Sequence, residues 1–139
     1  MSAMIHYRVG NDLDLDAVIE LYRASTLGNR RPVDDRMAMG EMLQHGNLTV
    51  TAWDDNQMVG IARSLTDFSF VAYLSDLAVR ETYQRQGIGR ELIQQTRLRL
   101  GPGCKLVLLA APAAVDYYAQ RGFTQHTSAW ILDASDALL

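Results

Sequence analysis

One cysteine in 139 residues leaves no internal disulfide to consider, and a single thiol suits a reducing cytoplasm. Cys104, at the entrance of an apolar run, reads as a small core hydrophobe rather than a nucleophile. Histidine is almost as sparse: His6, His45 and His126 are scattered without ligand spacing, so no metal is expected. No apolar run approaches the ~20 residues of a membrane helix, and the N-terminus shows no basic-plus-apolar leader pattern. Excess positive charge is also absent. A net charge of −3 argues against general nucleic-acid binding. No linker, repeat or low-complexity stretch divides the chain. What is present, 48% apolar and 21% charged residues, is ordinary globular composition. A single cytoplasmic domain over residues 1–139 is expected.

Periodicity supplies the elements. Met4–Val9 reads as a strand. Asn11 and Asp12 offer capping oxygens to a helix whose Leu15, Val18, Ile19 and Tyr22 share a face. A loop over Leu27–Val33 carries the basic pair Arg30-Arg31, and Asp34 is placed to cap a second helix ending at His45-Gly46. That helix bears Met39, Met42 and Leu43; with Met37, its methionines read as core in preference to an adaptable acceptor pocket. Strands follow over Leu48–Trp53, Met58–Leu65 and Phe70–Val79. A helix from Ile88 to about Arg99 is stopped by Gly101-Pro102-Gly103. Lys105–Ala110 looks like a strand buried on both faces, Ala113–Arg121 like a short helix, and Thr127–Leu132 like a last strand.

The most informative stretch is Ser75–Glu91. A strand runs into a polar turn, and Gly87-Ile88-Gly89 stands at the head of a helix. Glycine lets backbone approach a ligand closely, and the first amides of a helix form a ready anion site. From Arg80 to Arg99 five arginines face only Glu81 and Glu91, the contrast a diphosphate ligand needs. A P-loop would need Gly-Lys-Ser/Thr where Gly89-Arg90-Glu91 stands, and a dinucleotide fingerprint would need Gly or Ala at Leu92. On spacing alone, a plain strand–turn–helix junction explains the two glycines equally well.

Gln84-Arg85-Gln86-Gly87-Ile88-Gly89 resembles the Gln/Arg-x-x-Gly-x-Gly/Ala acetyl-CoA signature of the GNAT superfamily of N-acetyltransferases. Leu77-Ala78-Val79 stands where that family has its cofactor-facing strand. Tyr117-Tyr118-Ala119-Gln120-Arg121-Gly122-Phe123 resembles its Tyr-x-x-x-Gly-Phe segment, and Trp53–Gly60 its second and third strands. The resemblance implies an α/β fold: a mixed, largely antiparallel sheet flanked by helices, with splayed central strands binding acetyl-CoA. It implies transfer of acetyl from acetyl-CoA to a primary amine, on a small molecule or a protein, by direct attack in a ternary complex. Leu77, Ala78, Val79 and Gln84 to Arg90 (Gln84, Arg85, Gln86, Gly87, Ile88, Gly89, Arg90) are then the cofactor-binding residues.

Tyr118 matches the family tyrosine that protonates the departing thiolate, a role a phenol of pKa ~10 suits. Tyr117 faces about 100° away on the same helix and is the lesser candidate. Where some members carry a Glu base, this chain has Ser75. Asp76 is then either a base or a structural carboxylate, and a water relay through Ser75 and Tyr73 is the alternative. Strict alternation puts Tyr73, Ser75, Leu77 and Val79 on one face and Asp76 on the other. Arg30 and Arg31 are either solvated or pair with a carboxylate on the acceptor, with Tyr73 beside it. After Phe123 there is room for one long strand where the family has two. That leaves the acceptor-side wall open or completed by a second copy in a homodimer. The missing Glu also admits a different class, a CoA-binding sensor with little catalysis.

Overall fold

The computed structural model describes residues 4–139; the first three residues of the expected domain lie outside the described residues. Those described form two compact units, one running to Leu109 and one from Ala110 to Leu139. In the first, β1 (Ile5–Val9), β2 (Leu48–Asp54), β3 (Gln57–Thr66), β4 (Val71–Val79) and β5 (Lys105–Val107) form a sheet in chain order. The first four are antiparallel, and β5 alone runs parallel to β4. The helices are α1 (Leu15–Arg23), α2 (Arg36–His45) and α3 (Ile88–Arg97). This is the mixed, largely antiparallel α/β architecture expected.

The apolar stripe of α1 puts Val18, Leu21 and Tyr22 into a core with Met39, Leu43, Met58, Ile61 and Ala78. Met39 and Met42 belong to this packing, whereas Met37 is exposed. On the opposite face of the sheet, Ile88, Leu92, Ile93 and Thr96 of α3 are buried. Gly60 makes that approach possible, since a Cβ there would come within 3.0 Å of Leu92 Cδ1.

Both expected N-caps shift. Asp14 accepts from the Ala17 amide and Asp35 from the Ala38 amide, because only those residues stand immediately before the helical backbone. Asn11 instead closes the far end of α2, donating to the Leu43 and Gln44 carbonyls at 3.0 Å each. Asp34 pairs with Arg23. The expected loop holds a 3₁₀ turn over Thr26–Arg30, initiated by Ser25. Gly28 lets this turn lie against the end of α1, where a Cβ would stand 2.6 Å from the Tyr22 carbonyl oxygen.

Two strands were overestimated from their apolar content. β5 ends at Val107, and its Lys105 and Val107 are exposed, so it is not buried on both faces. Thr127–Leu132 forms no strand, and Trp130, Ile131 and Leu132 are exposed. In this second unit Pro112–Ala114 makes a 3₁₀ turn and α4 (Val115–Gln120) follows. Gly122, at φ 92°, turns the chain so that the Phe123 amide donates to the Tyr118 carbonyl at 3.1 Å. The Tyr118 ring meets Tyr117 and Phe123 edge-on, at centroid distances of 5.2 and 5.5 Å.

Candidate active site

The ladder between β4 and β5 covers only Val71–Tyr73, while β4 runs on to Val79. The Arg80 amide donates to the Val59 carbonyl of β3 at 2.8 Å. Amides alternate sides along a strand, so those of Ala78 and Arg80 point to β3, and those of Leu77 and Val79 point to the edge that β5 does not reach. Carbonyls on that edge bear this out: Ser75 accepts from Arg31 Nη2 at 2.7 Å and Val79 from Gln84 Nε2 at 3.1 Å. Two outward amides along a parted edge suit the amide-rich arm and thioester of a CoA ligand, which need donors rather than charge.

Beyond the end of β4, past a 3₁₀ turn over Glu81–Tyr83, the chain enters α3. Its N-cap, Gly87, is left-handed at φ 83°, and Arg85 is left-handed too at φ 63°. A left-handed residue followed by helical ones turns successive N–H groups inward, forming a concave anion cradle at the positive helix end. Gln84, Arg85, Gln86, Gly87 and Arg90 are exposed around it, while Ile88 packs into the core. Arg80, by contrast, grips Glu20 through two bonds of 2.7 and 2.6 Å, which anchor the turn to α1. The guanidinium hydrogen bond holds the Glu20 carboxyl below its ordinary value, against its slight burial.

A second group of residues gathers at Asp76. The β3–β4 ladder passes from Arg63↔Asp76 to Ser64↔Leu74, so Ser75 is an extra residue, a β-bulge. The bulge overturns the strict alternation expected from the sequence. Tyr73, partner of Leu65, returns to the Asp76 face, and Ser75 Oγ lies 3.4 Å from Asp76 Oδ1. Leu77 and Val79 turn to the α3 face, opposite Ala62 and Gly60.

Asp76 is buried and accepts from Tyr22 Oη, Arg31 Nε and Arg63 Nε, each at 2.6 Å. Burial alone would raise its carboxyl. The hydrogen bond and charge of Arg63 outweigh this, and with Tyr22 and Arg31 they hold Asp76 below the ordinary carboxylate range. Burial and then the Asp76 charge push the Tyr22 phenol well above its ordinary value. A carboxylate so held is a weak base, and the geometry gives it a structural use tying α1, the 3₁₀ turn, β3 and β4 together. Arg31 also donates from Nη1 to the Arg30 carbonyl at 2.8 Å. It is therefore not a freely solvated side chain, whereas Arg30 is exposed.

Tyr22 and Arg63 were missed as site residues. Arg63 left a signal: a lone arginine inside the apolar run Met58–Leu65, facing a lone aspartate inside the next strand. Gly46 makes room for it, since a Cβ there would stand 2.6 Å from Arg63 Cγ. Tyr118 lies in the second unit, on α4. Among the described residues no cluster of three metal-ligating side chains occurs, and no helix is long and apolar enough to cross a membrane.

Residues 23–133 match the family model of the acetyltransferase (GNAT) domain. The chain belongs to the GNAT acetyltransferase family. Its sheet and flanking helices are those of GNAT acyltransferases of known structure. A GNAT family acetyltransferase from Streptococcus pneumoniae TIGR4 superposes with a TM-score of 0.70 at 24% identity, over 95% of this chain and 100% of the other. The aminoglycoside N-acetyltransferase AAC(6')-Iy in complex with CoA gives a TM-score of 0.74 at 18% identity, covering 97% of each chain. AAC(6')-Iy has also been solved with a bisubstrate analogue, CoA-S-monomethyl-acetylneamine. In sequence, an uncharacterized N-acetyltransferase, ycf52, of Gracilaria tenuistipitata var. liui is 34% identical over 68 residues. That match spans 48% of this chain and 37% of the relative's length.

Proposed function

We propose that this GNAT chain transfers acetyl from acetyl-CoA to a primary amine by direct attack in a ternary complex. The observation that carries the reading is the parted β4 edge, with two outward amides leading to a helix that starts at left-handed Gly87. The bisubstrate complex of AAC(6')-Iy supports a mechanism in which donor and acceptor are held together.

Bound along this edge, acetyl-CoA supplies an acyl thioester, whose C–S bond gives way as the amine forms the new C–N bond. The α3 amides and Arg85 hold the diphosphate. The Leu77 and Val79 amides take the pantetheine arm and polarise the thioester carbonyl, an arrangement that lowers the barrier only where charge develops. Tyr118, by its match to the family tyrosine, gives its phenolic proton to the departing thiolate. Asp76 is committed to two guanidiniums and a phenol, so the amine reaches the site unprotonated or loses its proton to water relayed by Ser75 and Tyr73. The protein works in the cytoplasm.

The test is thiol release from acetyl-CoA across a broad amine panel. Release that requires an amine and is lost in Gly89→Val, with the fold intact, is the expected result. Tight CoA binding with no release for any amine would refute transfer and leave the sensor, the alternative that Ser75 in place of a Glu admits.

A further inference from the structure

We infer that Arg31 is a carboxylate receptor, so that the acceptor is a short amine carrying its own carboxylate, such as a small amino acid. This rests on the acetyltransferase reading and adds the acceptor's chemical class. Around Asp76 the charges do not balance. One carboxylate faces two guanidiniums, and the further donors, the Tyr22 hydroxyl and Ser75, are neutral. No other carboxylate lies within ion-pair distance of Arg31 or Arg63 among the described residues. A cluster with excess positive charge in a largely dry setting favours an incoming anion and repels a polycation.

Arg63 is not the receptor, because its side chain is only 7% exposed and an incoming carboxylate cannot reach its terminal nitrogens. Arg31 differs. Its side chain is 23% exposed, and three of its five N–H groups are committed, to Asp76, Ser75 and Arg30. One N–H remains on each terminal nitrogen, enough for the two oxygens of a carboxylate. Those three bonds also fix the guanidinium, so little freedom is lost when a ligand arrives.

Position sets the size of the acceptor. Arg31 holds the carbonyl of Ser75, which lies on the same open edge as the Leu77 amide two residues further on. Two residues of strand span about 7 Å. A short amino acid bridges that distance, with its carboxylate on Arg31 and its amine at the edge where the thioester is polarised. Of the basic pair, Arg31 recognises and Arg30 contributes its carbonyl.

The experiment compares glycine, β-alanine and alanine with their primary amides and with 1,4-diaminobutane, in thiol release by the full chain. The acids should exceed the amides in kcat/KM by on the order of 10- to 100-fold, mostly through KM. Arg31→Gln should erase that preference while acetyl-CoA affinity stays within about twofold. Because Arg31→Gln also loosens the Asp76 cluster, wild-type calorimetry with CoA present provides an independent readout, N-acetyl-β-alanine against its amide. Tighter binding of the acid supports the receptor even if no amine is turned over, an outcome that would sink only the transferase reading. Equal kcat/KM for acids and amides, a preference for the diamine, or equal binding in calorimetry overturns the inference. So does a large loss of acetyl-CoA affinity in Arg31→Gln, which would assign the charge to the donor.

Discussion

Replacing Asp76 with Asn keeps the shape of the side chain and removes the charge that two guanidiniums share. The Asp76 side chain is completely buried and that of Arg63 nearly so, so the change leaves two like charges facing each other with little water to screen them. Breaking a buried pair in this way costs about 3–5 kcal/mol. Tyr22→Phe removes only one hydrogen bond to the carboxylate, about 1.5–3 kcal/mol. The order Asp76→Asn worse than Tyr22→Phe should appear in urea midpoints at neutral pH. The pH dependence gives a sharper check. The folded Asp76 carboxyl lies below its unfolded value of about 3.9, so its contribution is complete above that pH and is lost as pH falls through the folded value. The gap between wild type and Asp76→Asn should therefore be constant from pH 6 to 8 and close in acid. A gap below about 1 kcal/mol at pH 7, or one that does not change down to the acid transition, would refute the view of Asp76 as the charged keystone of this cluster.

Other expectations follow from the same geometry. Tyr22 is held above its ordinary value, so wild type should lose stability above about pH 10, where the unfolded phenol ionises, and Tyr22→Phe should lose less. Gly28→Ala drives a Cβ against the Tyr22 carbonyl and must displace the 3₁₀ turn; it should cost about 1–3 kcal/mol in urea and weaken any preference for acids that Arg31 confers. Tyr118→Phe should lower turnover roughly 100-fold or more and leave acetyl-CoA affinity unchanged by calorimetry; unaltered turnover would return Tyr118 to packing. Arg85→Ala should weaken acetyl-CoA binding more at low salt than at high salt, since Arg85 is exposed and its pairing is screened.

Local pattern made much of this legible before any coordinates. The i, i+3, i+4 stripe of α1 carries its own periodicity, the strand runs of β2, β3 and β4 are bounded by the turns between them, and the glycines at the head of α3 mark the turn that Gly87 makes at positive φ. What failed had no local signature. The bulge at Ser75 is a property of two strands in register, and a period-2 reading of one strand cannot contain it. The Asp76 cluster joins residues 54, 45 and 13 positions apart in sequence. The run Lys105–Ala110 promised a long buried strand because apolar content reports what can be buried, not what covers it. Arg30-Arg31 showed that a basic pair existed. Only the fold separates the exposed Arg30 from Arg31, fixed on Asp76.

The extra residue in β4 separates two properties of this molecule that look inseparable. A chain lacking Ser75 would keep Arg63 opposite Asp76 and Ser64 opposite Leu74, now as successive rungs of an unbroken ladder. Every other side chain of the strand would stay on its present face, so the architecture survives the deletion. The bend would not, because a bulge is what kinks and twists a strand away from a straight course. With β4 straightened, its outer edge could go on pairing with β5 past Tyr73, and the parting that exposes the Leu77 and Val79 amides would zip shut. One residue then separates a sheet whose outer β4 edge is unpaired beyond Tyr73 from a continuous one of the same topology.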